Sequence, residues 1–461
     1  MNNECVAIIG GGISGLSAAY ELHRQAVPFT LLERSDNLGG LIRTERVDGF
    51  TIDKGPDSFL TQKPAALTLC KDLGLTDRLI PTIQPRSAFI VRSGCFHPIP
   101  DSSILGIPTK LSQVLTNSAL TLPGRIRMSI DLVTPSGKQV RDESIGAFFR
   151  RRFGSEAVGY CADPLLGGIH AGNVENLSIR TLFPRLIQAE ERGGSVIRAL
   201  RRQLVENPGA GKTGLFRSFV GGLGELVSAL ANILPSSSLR SGTIVKSISG
   251  RGPFRIELAN SDNIRADQLI LAVPSSSVAA LLQSMDETLA KLCASIPHTS
   301  SATVALAYPK SAIGIRLRGN GFVVPRAETD LSLMAATLVS SKWPKRAPEG
   351  QVLFRGFLGG VRDPDILTHG DDELVDLVHR DLSTLLRIRK QPSLARVFRW
   401  PNANPQYNVG HQEIIAAIDD RLVQFPGLQL AGASIRGVGI PDCIAAGRFA
   451  ARTAAEAFLK C

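Results

Sequence analysis

The chain has 461 residues, more than one hydrophobic core ordinarily organises, so we expect two or three domains. Apolar residues make up 43% and charged residues 20%, which excludes an intrinsically disordered chain. Lysine and arginine outnumber the acidic residues by 52 to 41, and the resulting charge of +11 suits an acidic small molecule, an anionic membrane surface or a nucleic acid. Because no dense basic run is interleaved with aromatic residues, we expect no nucleic acid partner.

Targeting and metal signals are absent from the sequence. Residues 1–4 lead directly into an apolar strand, so we expect no signal peptide, and no apolar run reaches the roughly 18–20 residues that span a bilayer. We therefore expect a cytoplasmic protein, with peripheral attachment to the inner face of the cell membrane left open. The seven cysteines form no CxxC pair and the histidines no ligand spacing, so we expect reduced thiols and no metal.

Hydrophobic periodicity predicts the elements in chain order. A buried strand is expected at residues 5–9, a helix at 14–24 and a second strand at 29–32. Prolines interrupt the pattern after residue 84, and residues 111–203 are mostly helical. A helical pattern follows at 219–234. Further strands are expected at residues 242–249, 254–258, 268–273, 302–308, 321–324, 352–358 and 428–431, before a last helix at 442–459.

The first strand and helix are joined by Gly10-Gly11-Gly12-Ile13-Ser14-Gly15, which matches the GxGxxG pattern of dinucleotide-binding turns. Gly10 permits the tight turn, Gly12 lets the pyrophosphate approach the backbone, and Gly15 lets helix and strand pack closely. The helix N-terminus offers unpaired N–H groups to the phosphates. Glu33, at the end of the second strand, is positioned to accept hydrogen bonds from both ribose hydroxyls, and its charge disfavours the 2′-phosphate of NADP.

A second glycine pair indicates FAD rather than NAD. It lies in the run after Glu33 whose candidate cofactor-binding residues are Arg34, Gly39, Gly40, Leu41 and Arg43. This run would extend the cradle along a longer cofactor. Near the C-terminus, a strand leads through two further glycine-rich segments, Gly432-Ala433-Ser434 and Gly439-Ile440-Pro441, into the last helix. Amides there could face the flavin ring or ribityl chain, although a plain structural turn is the alternative.

The sequence resembles the porphyrinogen-oxidising flavoenzymes of haem synthesis, the protoporphyrinogen and coproporphyrinogen oxidases. The broad flavin pattern is shared with amine oxidases and phytoene desaturases, whereas several narrower motifs carry the resemblance. These motifs are Gly55-Pro56-Asp57-Ser58-Phe59, Phe96-His97-Pro98-Ile99-Pro100, Asp163-Pro164-Leu165-Leu166-Gly167-Gly168-Ile169-His170-Ala171-Gly172, Arg399-Trp400-Pro401, Pro405-Gln406-Tyr407 and Gly437-Val438-Gly439-Ile440-Pro441-Asp442.

The resemblance implies an α/β fold with three parts. These are a Rossmann-type FAD-binding domain built from discontinuous segments, a mixed-sheet substrate domain and a helical membrane-contacting region. We place the FAD-binding segments at residues 1–83, 206–283 and 421–461, the substrate domain at 84–96 and 284–420, and the helical region at 97–205.

The resemblance also implies the activity and the cofactor contacts. Six electrons would pass from a porphyrinogen through FAD to dioxygen, giving hydrogen peroxide, and the product would be handed to the next haem-synthesis enzyme. Val245 would contact the adenine, while Gly55-Pro56-Asp57 and Trp400 would contribute to the FAD site. No catalytic side chain is assigned, because the flavin carries the redox chemistry.

Six residues are expected to contact the substrate. By resemblance, Phe357 would stack on a pyrrole ring, Leu338 and Val323 would line the opposite wall, and the backbone at Gly168 and Gly172 would approach the macrocycle. Strand-core positions are the alternative for Phe357 and Leu338. Arg86 is the sixth residue.

Two positions depart from the family pattern. Asn173 stands where the family often has aspartate, and Ala88 stands where some members have an arginine that pairs with a substrate propionate. Arg86 would lie on the same strand face and could substitute for that arginine, or it could be a solvated surface residue. The sequence also leaves open an amine oxidase, a carotenoid desaturase or a flavin-binding electron-transfer subunit, and it does not choose between coproporphyrinogen III and protoporphyrinogen IX.

Overall fold

The structure, a computed structural model, describes residues 3–137, 141–206 and 214–458. Its first layer is a seven-stranded sheet, hereafter the nucleotide sheet, with five parallel strands and an antiparallel hairpin at one edge. Val6, Ala7 and Ile8 of the first strand are fully buried, as expected for a parallel strand covered on both faces. In spatial order the strands are Leu239–Arg240, Phe29–Leu32, Asn3–Ile9, Asn263–Leu271, Phe254–Leu258 and Val245–Ser249, with Leu428–Leu430 also paired to Asn263–Leu271.

Two helices pack together over one face of the nucleotide sheet. The first, Ile13–Arg24, follows the first strand, and the second, Ile440–Phe458, is the last described helix of the chain. They cross so closely that a Cβ built on Gly447 would lie 2.0 Å from the carbonyl oxygen of Ser14. The glycine is therefore needed for this packing. The contact places the first and the last described helices side by side.

The second layer is a seven-stranded mixed sheet, hereafter the substrate sheet. Its strands, in spatial order, are Leu394–Pro405, His298–Pro309, Gln351–Gly359, Ala335–Leu338, Gly321–Val323, Ala88–Arg92 and Cys95–Pro98. Helix Asp371–Leu386 covers one face and buries Leu374, Val378 and Leu382 against it. The other face packs against Phe50 and Ile52, which belong to the segment that follows the first strands of the nucleotide sheet.

The third part is helical and has its own hydrophobic core. Its helices are Leu111–Leu115, Leu122–Ser129, Ile145–Phe153, Ser155–Ala157, Ile179–Leu182, Pro184–Gly193 and Val196–Glu206. A wide π-helix, Val158–Gly167, contains Pro164 and leads into the glycine-rich turn that follows. The fully buried Arg152 is paired with Asp131 inside this part.

Shorter elements connect the three parts. The remaining strands are Thr44–Val47, Phe50–Asp53, Phe59–Leu60, Leu79–Pro81, Ser103–Ile104, Ile107–Pro108 and Phe216–Phe219, and the remaining α-helices are Pro64–Asp72, Gly224–Ile233, Ser275–Leu282, Glu287–Ala294, Val339–Lys342 and His411–Leu422. Across residues 3–137, 141–206 and 214–458, no helix combines the length and apolarity needed to cross a membrane.

The predicted α/β class, with a Rossmann-type sheet built from separate segments and a second mixed sheet, is confirmed. The first helix begins at Ile13, one residue earlier than predicted, and the strand Phe29–Leu32 has its predicted bounds. The last helix was predicted to reach residue 459, which lies outside the described residues.

Candidate functional site

The turn between the first strand and the first helix is shaped by its three fingerprint glycines. Gly10 has a φ of +107°, and a Cβ there would lie 2.5 Å from the carbonyl oxygen of Ala272. A Cβ on Gly15 would lie 1.9 Å from the carbonyl oxygen of Gly10. In contrast, a Cβ on Gly12 would have no atom within 4 Å. The open space is therefore at the glycine where a pyrophosphate is expected.

The second glycine pair packs directly on the first turn. Gly39 donates its N–H to the carbonyl oxygen of Gly11 at 2.8 Å, and a Cβ on Gly40 would lie 3.2 Å from the Cα of Gly12. Arg43 donates to Ser35 Oγ at 3.2 Å, while its buried Nε has no hydrogen-bond partner among the described residues. A buried donor without an acceptor fits the phosphate of a bound dinucleotide.

Glu33 closes the ribose end of this cradle. Its carboxylate accepts the Gly11 N–H at 2.6 Å and the Ser35 N–H at 2.9 Å. The carbonyl oxygen of Glu33 accepts the N–H of Thr243 at 2.8 Å, two residues before Val245, so the predicted adenine contact lies beside the predicted ribose contact. Ile13 and Ser14 are buried at the start of the helix, whereas Arg34 and Leu41 are exposed.

The C-terminal glycine-rich segment reaches the same place. A Cβ on Gly432 would lie 3.9 Å from Ser14 Oγ, at the start of the first helix. The Tyr407 hydroxyl donates to the carbonyl oxygen of Ala433 at 2.6 Å and accepts the N–H of Gly437 at 2.8 Å. Ser434 Oγ accepts the N–H of Ser275 at 3.2 Å. Tyr407 thus fixes the segment that leads through Gly439 into Ile440 and Pro441.

One face of the substrate sheet lies against residues 55–57. Phe357 is paired with Thr303 on one side and Ala335 on the other, and Val323 is paired with Ala335, so their side chains share a face. Arg355, two residues before Phe357, shares that face and donates a hydrogen bond to the carbonyl oxygen of Gly55.

Trp400 adds a contact between the two layers. A Cβ on Gly55 would lie 3.5 Å from the Trp400 ring, and Trp400 Nε1 donates to Thr303 Oγ1 at 3.3 Å. Pro56 is half-buried between Gly55 and Asp57. The structure therefore brings the predicted cofactor residues Gly55 and Trp400 next to the predicted substrate residue Phe357.

Asp57 is the centre of a charge cluster between the layers. Lys342 Nζ donates to both carboxylate oxygens at 2.9 Å, Trp343 Nε1 donates at 3.2 Å, and Arg355 Nη1 lies 3.7 Å away. These cations hold the pKa of Asp57 well below its usual range although burial acts in the opposite direction. Sequence reasoning missed Lys342, Trp343 and Arg355; a charged residue inside the apolar strand Gln351–Gly359 was the available signal.

The helical part contributes a turn that contacts the substrate sheet, where Thr299 Oγ1 donates to the carbonyl oxygen of Ala171 at 3.2 Å. A Cβ on Gly172 would lie 2.3 Å from Gln406 Oε1, and Gln406 Nε2 donates to the carbonyl oxygen of His170 at 2.9 Å. Burial and the nearby Lys63 lower the pKa of His170 to about 4, so its ring is neutral at pH 7. Gly168 stands half-buried in the same turn.

Two predicted placements are wrong. Leu338 is paired with Phe354 on the other face of the substrate sheet and is 3% exposed in the core under helix Asp371–Leu386, so it cannot line a wall opposite Phe357. Arg86 was expected on a strand, but that strand begins at Ala88, two residues later. Arg86 instead lies before the strand, where its Nε donates to Thr82 Oγ1 at 3.0 Å.

A parallel sheet with a glycine-rich turn of the dinucleotide-binding type, packed against a mixed sheet at residues 55–57, is typical of oxidoreductases that use a dinucleotide redox cofactor. Residues 13–455 match the flavin containing amine oxidoreductases, and the chain belongs to that family. It is 35% identical over 457 residues to the coproporphyrinogen III oxidase of Bacillus subtilis strain 168, and this match covers 96% of each chain. It is also 35% identical to the coproporphyrinogen III oxidase of Staphylococcus aureus strain NCTC 8325, over 97% of this chain and 98% of that one.

A solved structure from Exiguobacterium sp. 255-15, assigned as a protoporphyrinogen oxidase, superposes with a TM-score of 0.88. It is 31% identical and the match covers 99% of this chain and 100% of that one. Family membership gives the chain a flavin cofactor and an oxidoreductase activity.

Proposed function

We propose that the chain oxidises coproporphyrinogen III to coproporphyrin III, with FAD as its flavin and dioxygen as the electron acceptor. The observation that carries this proposal is the 35% identity, over 96% of both chains, to a coproporphyrinogen III oxidase. Protoporphyrinogen IX is the second substrate to consider, because the relative from Exiguobacterium is assigned to it.

The proposed reaction removes six electrons and six protons from the macrocycle. Three dioxygen molecules accept them and become three hydrogen peroxide molecules, so atoms and electrons balance. When bound, the flavin supplies the two-electron acceptor for each step. The porphyrin product then leaves for the next enzyme of haem synthesis.

The residues of the chain bind and orient the two reactants. Gly12, Gly40 and Arg43 would hold the pyrophosphate, and Glu33 and Val245 would hold the ribose and adenine. Arg355 lies 5.2 Å from the Phe357 ring centroid and restrains a ring that we propose as the stacking wall for a pyrrole. This wall follows from the sheet face that Phe357 and Val323 share with Arg355, which contacts Gly55.

Anaerobic mixing tests the proposal directly. Coproporphyrinogen III should bleach the flavin absorbance and produce porphyrin fluorescence, and admitted oxygen should restore the flavin and release hydrogen peroxide. Bleaching by an amine or by a carotenoid precursor, with no response to either porphyrinogen, would contradict it. Slow reoxidation by oxygen and fast reoxidation by an added electron carrier would contradict the assignment of dioxygen.

Phe357→Ala is expected to impair substrate binding and leave the fold intact. Its side chain is half-buried, so the loss is a stacking contact of roughly 0.5–1.5 kcal/mol plus buried area. We expect retention of FAD, a Tm within a few degrees of wild type, and a KM for coproporphyrinogen III that is raised tenfold or more. Steady-state kinetics and thermal melting measure the two effects.

Phe354→Ala is the matched control, because Phe354 is 6% exposed on the opposite face of the same strand. Truncation of a core phenylalanine to alanine typically lowers the free energy of unfolding by about 3–5 kcal/mol. A Phe357 variant that melts like the Phe354 variant, with unchanged KM, would place Phe357 in the core.

We also propose peripheral membrane contact through the helical part. Leu122, Ile126, Ile130 and Val133 are 46% to 80% exposed and follow one another at three- or four-residue spacing, and we name them the apolar stripe. Leu122 and Ile126 lie on helix Leu122–Ser129, and Ile130 and Val133 lie in the turn that follows it. Exposed apolar side chains of this kind can insert into a lipid surface, and the net charge of +11 favours an anionic one.

Sedimentation with anionic vesicles measures this contact. Binding should fall as salt rises, because the Debye length is about 10 Å at 0.1 M, and the Leu122→Ser and Ile126→Ser double variant should weaken the salt-resistant part. Val423→Ser removes an equally exposed apolar side chain outside the stripe and should leave binding unchanged. Equal loss in both variants, or no vesicle binding by wild type at low salt, would overturn the proposal.

A further inference from the structure

A cavity lies beside the glycine turn of the helical part. Its lining includes Gly168 and Gly172, three charged residues and several apolar ones. The charged residues are Asp163, Arg326 and Arg362, and the apolar ones include Val324, Met334 and Val361. Its volume of about 20 Å³ is sufficient for a group of the size of a water molecule. We name it the arginine cavity.

Arg326 is held in the arginine cavity by three contacts. Its Nε donates to Asp163 Oδ1 at 2.6 Å, and its backbone N–H donates to Asp163 Oδ2 at 3.0 Å. Its Nη2 donates to the amide oxygen of Asn173 at 3.0 Å, which is an uncharged acceptor. The guanidinium is therefore oriented on two sides but is neutralised by one carboxylate alone.

Arg362 adds a second positive charge. Its two terminal nitrogens donate to carbonyl oxygens, namely those of Val324 at 3.0 Å, Pro325 at 2.5 Å, Glu328 at 3.3 Å and Leu331 at 2.7 Å. These acceptors are neutral dipoles. The buried Nε of Arg362 has no hydrogen-bond partner in the described part of the chain.

Two other carboxylates, those of Asp381 and Glu328, interact electrostatically with Arg362 but do not line the arginine cavity. Asp381 accepts the N–H groups of Ser332 at 2.7 Å and Leu333 at 2.9 Å, and Glu328 accepts the N–H of Ser93 at 2.9 Å. Asp163, the remaining one, is shared with Arg326. The cavity therefore has two guanidinium groups against one carboxylate of its own.

We propose that the arginine cavity binds one carboxylate arm of the substrate, with Arg326 and Arg362 as its cationic groups. The inference rests on the proposed function and assigns the recognition of one arm to this chain's own residues. The neighbouring Gly168 and Gly172 would bring the macrocycle edge that carries this arm to the cavity mouth.

A further cation, Arg86, lies near the start of strand Gly321–Val323, and Arg326 comes after the end of that strand. Asn320, the residue before this strand, donates its backbone N–H to the carbonyl oxygen of Ser87 and its side-chain amide to that of Arg86. Arg86 therefore lies beside the start of the strand. Cations at both ends fit a macrocycle with carboxylates on opposite edges, such as coproporphyrinogen III, rather than protoporphyrinogen IX, whose two carboxylates are on neighbouring pyrroles.

Asn173→Asp tests the charge of the cavity. Aspartate retains an acceptor for Arg326 Nη2 but adds the missing negative charge, so the KM for coproporphyrinogen III should rise tenfold or more with kcat within twofold. A purely structural Arg326 predicts the opposite, an unchanged KM and a Tm equal to or above that of wild type. Arg326→Gln should raise the KM in the same way, and the KM for protoporphyrinogen IX should change less in both variants.

Lys291→Gln is the control for net charge, because Lys291 is 71% exposed and is paired only along its own helix with Glu287 in the described structure. It should leave both KM values unchanged. If wild type oxidises porphyrinogens but Asn173→Asp binds coproporphyrinogen III normally, the cavity assignment is wrong and the proposed function stands. If wild type oxidises neither porphyrinogen, the proposed function fails and the cavity assignment fails with it.

Discussion

Gly12→Val is expected to give a folded protein that does not retain FAD. A side chain at this position meets no protein atom within 4 Å, so the apoprotein can accommodate it, but it fills the space where the pyrophosphate is proposed to lie. The purified variant should lack the flavin absorbance near 450 nm, and denaturation should release no FAD. Its Tm should equal that of wild type from which the flavin has been removed.

Gly15→Val is the matched control, because the same side chain would lie 1.9 Å from the carbonyl oxygen of Gly10. It should prevent close packing of the first helix on the sheet and lower the stability of the apoprotein itself. A folded Gly12→Val protein with one FAD per chain would show that the cofactor does not pass over Gly12. Equal destabilisation of both apoproteins would show that Gly12 has a packing role.

The residues of the dinucleotide cradle were predictable because their neighbours are local in sequence. Gly10, Gly12 and Gly15 follow a buried strand and open a helix. The packing of the protein itself requires glycine at Gly10 and Gly15, whereas Gly12 leaves space that the cofactor is proposed to fill. Most strands of the nucleotide sheet and three strands of the substrate sheet, near residues 302–308, 321–324 and 352–358, were predicted from apolar runs. The strands Ala88–Arg92, Cys95–Pro98, Ala335–Leu338 and Leu394–Pro405 were not predicted in this way. The residue boundaries of the six domain segments remain predictions.

Placement on a sheet face was less predictable. Leu338 and Phe357 are both apolar strand residues, and only the register with Phe354 and Ala335 shows that they face opposite ways. Arg86 was placed on a strand face two residues before the strand begins. Periodicity identifies a strand but does not fix where it ends or which of its faces is the core.

Charge partners far apart in the sequence were not predictable at all. Asp57 meets Lys342 and Arg355 about 300 residues later, and Arg326 meets Asp163 across the boundary between the helical part and the substrate sheet. No local pattern links such residues, because the fold brings them together only when two layers pack. These long-range contacts nevertheless carry the largest electrostatic effects near the proposed site.

Asp57→Asn is expected to destabilise the protein by about 3–5 kcal/mol at pH 7, because it leaves two buried cations without their counterion. The exposed fraction of the side chain is 11% for Asp57, 13% for Lys342 and 2% for Arg355, so water cannot replace the carboxylate. Denaturant unfolding of the flavin-free proteins should measure the difference. The same change at Asp419, whose pair with Arg436 is 44% and 51% exposed, should cost no more than about 1 kcal/mol.

The pH dependence of this difference has a definite sign. The pKa of Asp57 is depressed in the folded protein, so its ionised form contributes fully above the unfolded pKa of about 4 and loses that contribution as pH falls towards the folded pKa. Asparagine does not titrate. The gap between wild type and Asp57→Asn should therefore be constant from pH 8 to pH 5 and should narrow below pH 4. A gap that widens on acidification, or one no larger at pH 7 than that of Asp419→Asn, would mean that the cluster does not join the two layers as the geometry indicates.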